Sequence, residues 1–182
     1  MACHLLGTLL IGYLTSMWWP LIAYIAFYPI FLGIFEIRFL CSHCPYYSEE
    51  GNVLHCLANH GSLKIWKYQP GPMNSVERGL MYLTFAIILV IMPGAIYGYL
   101  LWIILANLFL YGNLVLIMVV GLAIITIAAE LGWLFVMYNY LCSKCVNFSC
   151  PFNRVSKKRV DEYLKKNKVM RQAWKDSGYK ID

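Results

Sequence analysis

The sequence predicts an all-α integral membrane protein: a bundle of about four transmembrane helices, three if the N-terminal helix is re-entrant, with a cytoplasmic Cys-rich loop and a basic amphipathic C-terminal helix. Three observations lead there. Sixty per cent of the 182 residues are hydrophobic, only 13% are charged, and the mean hydropathy is +0.60, well away from a soluble composition of about a quarter charged residues. The apolar residues fall in long unbroken stretches. The charge is segregated: residues 141–182 carry 11 Lys and Arg against 4 Asp and Glu, whereas residues 1–140 carry 4 against 5.

The first apolar stretch, residues 5–40, is too long for one span, since a helix of that length would be about 54 Å against a hydrocarbon core of about 30 Å. Trp18-Trp19-Pro20 is the expected break, because paired Trp suits a membrane interface and Pro is tolerated in the first turn of a helix. Residues 1–40 therefore read as a helical hairpin, a thin or re-entrant first helix at about 3–18 and a full span at 21–40. The N-terminus has no basic region before its apolar stretch and no clear cleavage site, so a signal peptide is not expected.

Residues 79–141 form a second transmembrane hairpin, divided between Asn107 and Asn113 into two helices of about 28 residues, each able to span with tilt. Pro93-Gly94 is expected to kink the first of them, since Pro removes a backbone hydrogen bond and crowds the preceding turn. Between the hairpins lies a Cys/His-rich loop, residues 41–78, and after them a Cys knuckle and basic tail, residues 142–182.

Orientation follows from the loops. Arg38, Lys64, Lys67, Arg78 and the whole tail fall on one side, and the turns at 16–20 and 107–113 hold no Lys or Arg. The positive-inside rule assigns the loop and tail to the cytoplasm of a multi-pass cell-membrane protein. A basic tail directly after an apolar helix is read as a topology signal, with nucleic acid set aside. Val160, Tyr163, Leu164, Met170 and Trp174 recur at helical spacing, with Asp161–Lys165 and Glu162–Lys166 as i,i+4 pairs. This helix either packs on the protein or lies on anionic headgroups.

The chemistry-bearing feature is an approximate repeat. Phe39-Leu40-Cys41-Ser42-His43-Cys44 closes one span and Tyr140-Leu141-Cys142-Ser143-Lys144-Cys145 closes the last. Two residues between cysteines let a tight turn aim both sulfurs at one point, and two such turns complete a tetrahedron around zinc. Cys41, Cys44, Cys142 and Cys145 are the first choice of metal ligands. Cys56, Cys150 and the histidines His43, His55 and His60 are alternates, and Cys41, Cys44, Cys56 and His60 would make a local Cys3His site. An iron–sulfur cluster is the alternative cofactor, redox-active thiols a further one. A reducing compartment disfavours structural disulfides.

Glu130 is the only ionised-type side chain in residues 79–141, about 16 Å from the end of its helix. A carboxylate at that depth faces a bundle interior, either as a proton or cation site or as a neutral, hydrogen-bonded acid. It is the candidate catalytic residue. Glu36 and Arg38, near an interface, snorkel and carry no assigned role. Three functions follow: a scaffold or accessory subunit of a membrane complex held by a metal knuckle, a membrane redox protein, or a membrane enzyme or transporter using Glu130 and the loop histidines.

Overall fold

The computed structural model describes residues 2–56 and 59–182, which are helical with no strand among them. The helices are α1 (Ala2–Thr15), α2 (Trp19–His43), α3 (Ser75–Ala106), α4 (Leu108–Leu141), α5 (Lys157–Lys166) and α6 (Lys168–Asp176). Three of them, α2, α3 and α4, are long and apolar enough to cross a membrane, with 25, 32 and 34 residues. At about 1.5 Å per residue even α2 exceeds the ~30 Å hydrocarbon core, whereas the 14 residues of α1 fall short of it.

The break after α1 lies at Ser16–Trp18, just before the Trp-Trp-Pro signal. Ser16 takes the left-handed conformation (φ 59°), and the Thr15 hydroxyl accepts from the Met17 N–H at 3.2 Å. Gly12 makes room for the chain to fold back: a Cβ there would stand 2.5 Å from the Trp18 ring. Pro20 occupies the first turn of α2 as expected. In α3 the strain of Pro93 is taken up by a wide π-helical turn at Ile87–Ile91. The boundary between α3 and α4 is the single residue Asn107, and Gly112 adds a second irregularity (φ 74°) inside the α4 boundaries.

Two compact units divide the chain: Met1–Tyr28 with Leu83–Phe135, and Pro29–Tyr82 with Val136–Asp182. In the first, Ile11 of α1 packs with Ile96, Tyr97, Leu100 and Ile104 of α3 and Val119 of α4. Gly7 permits this approach, since a Cβ there would lie 2.5 Å from the Ile96 Cγ2. Polar links reinforce it. The Tyr97 hydroxyl donates to the Cys3 carbonyl (2.8 Å) and meets Thr126 Oγ1 (2.7 Å), while Tyr111 donates to the Leu14 carbonyl (3.0 Å), one of the orphan acceptors at the end of α1.

The second unit has two small cores. One gathers Ile37, Cys41, Tyr47 and Leu54; the other gathers Val160, Leu164, Met170 and Trp174 under Phe148, Tyr163 and Tyr179. The loop has structure of its own: Val53 and Leu63 pair antiparallel, closed by Leu54 N–H to Ser62 O and Gly61 N–H to Leu54 O, both 2.8 Å. The tail is two helices rather than one. Asn167 interrupts it because its side-chain oxygen accepts from the Met170 N–H (3.0 Å) and starts a new helix. Their apolar faces are spent on the second core, with Trp174 donating to the Pro70 carbonyl at 3.0 Å. Asp161 departs from its expected partner: it accepts from Lys157, one turn back (2.8 Å), and from the Tyr179 hydroxyl (3.0 Å).

Two predictions test these contacts. Gly7→Val overpacks the α1–α3 contact and lowers stability by about 1–3 kcal/mol, read as a lower unfolding temperature in detergent, whereas Gly79→Ala, with open space around it, leaves it unchanged. The Lys157 ammonium holds the Asp161 carboxyl below the usual carboxylate range. A depressed acid stabilises above its unfolded pKa and loses that contribution as pH falls through the folded one, so the tail's Trp174 fluorescence should hold from neutral pH down to about pH 4 and change in stronger acid. Asp161→Asn should remove that acid transition.

Candidate functional site

All six cysteines of the two knuckle sets fall in the second unit, and none is in a disulfide. The first set is placed by the end of α2, which narrows to a 3₁₀ turn at Cys41–His43, so that the Cys44 N–H bonds the Cys41 carbonyl (2.9 Å). The second follows α4, where the Arg154 N–H closes on the Cys142 carbonyl (3.0 Å) and Asn153 Nδ2 donates to the Cys145 carbonyl (2.7 Å). Asn147 Nδ2 reaches the Leu40 carbonyl at 2.7 Å, which ties the second knuckle to the helix end that carries the first.

The thiols influence one another. Burial pushes the Cys44 thiol up to about 12, and the neighbouring sulfurs of Cys145 and Cys56 add to the rise. Burial likewise raises Cys150 to about 12, with Cys145 and Cys142 contributing, and raises Cys142 with Cys145 beside it. Cys56 is thereby drawn into the constellation, and a single residue holds it beside the first knuckle. Asn59 donates its backbone N–H to Cys56 Sγ (3.2 Å) and its side-chain amide to Cys41 Sγ (3.1 Å) and to Glu36 Oε1 (2.7 Å). Glu36 therefore has a structural partner where none was expected.

By donor chemistry, six free thiols suit a soft cation, which favours the thiolate that burial alone opposes. By geometry, no three His, Cys, Asp or Glu side chains among the described residues converge closely enough to hold an ion. A metal would have to draw the thiols together. His60 stacks edge-on against His55, their ring centroids 5.6 Å apart.

Sequence reasoning passed over the groups around Glu77. Asn74 and Glu77 form a reciprocal capping box at the start of α3, Glu77 N–H to Asn74 Oδ1 at 2.8 Å and Asn74 N–H to Glu77 Oε2 at 3.0 Å. The same carboxylate faces Arg38 (3.6 Å) and His43 Nε2 (3.5 Å). His43 donates from Nδ1 to the Gly71 carbonyl (2.7 Å), which orients the ring, and its Nε2 is buried without a hydrogen-bond partner. His43, Gly71, Asn74 and Glu77 line a cleft of about 500 Å³ with Tyr68, Asp176 and Ser177. The N-x-x-E spacing at residues 74–77 was readable as a helix start; the arrival of Arg38 and His43 was not.

Glu130 lies in the first unit. Its partner is His4, Nε2 to Oε1 at 2.7 Å, with the His4 side chain 3% exposed and that of Glu130 18%. The loop histidines belong to the second unit.

The fold and these sites define an all-helical chain with three helices long and apolar enough to cross a membrane. No family model, curated protein or solved structure matches it.

The raised thiols carry a prediction. In metal-free protein, alkylation of Cys44 and Cys150 should be slow at neutral pH and still rising at about pH 9, since the thiolate is the nucleophile. Mass-spectrometric mapping of labelled sites at stepped pH checks it, and fast labelling of either residue at pH 7 would contradict it.

Proposed function

We propose that this chain is a multi-pass membrane protein whose cysteine knuckles bind zinc at the cytoplasmic face and clamp the 41–78 loop to the tail, acting as a scaffold or accessory subunit of a membrane complex. The observation that carries the reading is the 2.7 Å hydrogen bond from Asn147 Nδ2, two residues past Cys145, to the carbonyl of Leu40, the residue before Cys41, which ties the second knuckle to the helix end that carries the first. Cys41, Cys44, Cys142 and Cys145 are the proposed ligands, with Cys56 and Cys150 as the nearest substitutes and His60 as a more distant one. Bound zinc would stabilise the thiolates and add its binding free energy to the folding of the loop.

Two further features support this choice over its competitors. Redox-active thiols work through a lowered pKa, and here burial raises Cys44, Cys142 and Cys150. The apolar faces of α5 and α6 are covered inside the protein, so contact with anionic headgroups falls to the exposed Lys158, Lys165, Lys166 and Lys168 by charge alone. The positive-inside pattern supports the cytoplasmic side for loop and tail.

Elemental analysis of anaerobically purified protein tests the proposal. About one zinc per chain is expected. Cys44→Ser and Cys145→Ser should each lower bound zinc and the unfolding temperature together, and Cys3→Ser, in the other unit, should leave the zinc unchanged. A brown, iron-containing preparation would replace zinc with a cluster, and protein free of any metal would overturn the clamp.

A further inference from the structure

The first unit holds a charge problem that is independent of the thiols. Its residues, 1–28 and 83–135, include one Glu and one His and no Asp, Lys or Arg. An ionised carboxylate in such apolar surroundings is costly unless something neutralises it. Among the side chains of this unit Glu130 and His4 are therefore each other's sole counterpart of opposite kind, and the structure brings them to 2.7 Å across 126 residues of sequence.

We infer that His4 and Glu130 form a proton-binding site, a dyad that takes up and releases one proton through His4 Nδ1. The chemistry of the two groups supplies the reason. The electrically neutral dyad has one proton between Nε2 and Oε1, written either as imidazolium–carboxylate or as imidazole–carboxylic acid. In both forms Nδ1 also carries a hydrogen, because a ring nitrogen accepting at Nε2 leaves the hydrogen on Nδ1 and a doubly protonated ring has one on each. Nδ1 is buried and has no hydrogen-bond partner. A buried donor left this way keeps its full desolvation cost, so a pair serving structure alone is poorly finished at this atom.

Release of the proton balances simply. The Nδ1 hydrogen leaves to an acceptor such as water, Nε2–H then donates to the Glu130 carboxylate, and the dyad passes from neutral to one negative charge. Uptake is the reverse: Nδ1 accepts the proton and the 2.7 Å bond is kept throughout. No bond to carbon changes and no electron moves.

Besides Glu130, the charged group that acts on His4 is the chain's amino terminus; the remaining titratable neighbours are side chains. From α1 the titratable neighbour is Cys3. From α2 it is Tyr24, edge-on to the His4 ring at 6.3 Å, backed by Tyr28 at 4.8 Å from Tyr24. From α3 it is Tyr97, engaged with the Cys3 carbonyl and Thr126 of α4. These are hydroxyls and a thiol, not carboxylates or amines. The Tyr97–Thr126 contact and the seat of α1 against Ile96 fix the distance across which the proton is shared.

Infrared difference spectroscopy on the full chain in detergent, with isotope-labelled histidine and glutamate, tests this between about pH 5 and pH 8, where a histidine titrates. The expected result is a single proton uptake in which imidazole and carboxyl bands change together, with both changes absent in Glu130→Gln and in His4→Gln. Because the chain holds four histidines and six glutamates, the difference between wild type and variant assigns the bands, and the helix content of each variant shows that it has folded. Bands that stay constant over the range, or a carboxyl change that persists in His4→Gln with normal helix content, would overturn the site.

Discussion

A polar group inside an apolar helical unit has no water to turn to, so it must find its partner within the chain, and the placement of α1 follows from that constraint. Helix α1 is too short to be held by length alone. Three polar links secure it: His4 to Glu130, the Cys3 carbonyl to Tyr97, and the Leu14 carbonyl to Tyr111. Each joins α1 to α3 or α4, and Gly7 makes room for the approach of α1 to Ile96. The apolar packing around Ile11, Leu100 and Ile104 supplies bulk attraction without direction. The hydrogen bonds supply the register.

The same constraint organises the second unit with a different set of groups. Its charges are more numerous, yet the buried ones are still paired: Glu77 faces Arg38 and His43 while capping α3, Glu36 accepts from Asn59, and Asp161 accepts from Lys157 and Tyr179. Asn59 and Asn147 each join segments distant in sequence by side-chain amides aimed at a sulfur, a carboxylate or a helix-end carbonyl. The cysteines differ from these groups. A buried neutral thiol is a weak donor that tolerates apolar company, and a weak acceptor where Asn59 donates to Cys41 and Cys56.

The chain thus offers two kinds of chemistry, kept in separate units. Sulfur is concentrated in the loop and tail, where Asn147 ties the second knuckle to the helix end that carries the first. Proton chemistry belongs with α1 and α4, where one acid and one imidazole are the sole pair of their kind. A clamp and a proton site need not serve one reaction, and neither depends on the other for its physical rationale.

The residues by themselves determined the helical class, the three long apolar helices, the breaks near Trp18-Trp19-Pro20 and Asn107, and the gathering of cysteines at the ends of α2 and α4. These are local properties: hydropathy over a helix length, the missing N–H of Pro, and the spacing of two sulfurs in one turn. Tertiary structure alone decided the partners. Glu130 read as an acid without a neutralising base, because His4 is 126 positions away. Glu36 and Arg38 read as idle, because Asn59 and Glu77 reach them only after the loop folds back. The tail read as one helix, because the capping strength of Asn167 depends on the φ, ψ angles it adopts. A hydrogen bond is specified to a few tenths of an ångström by the packing of helices, and no periodicity along the chain encodes that distance.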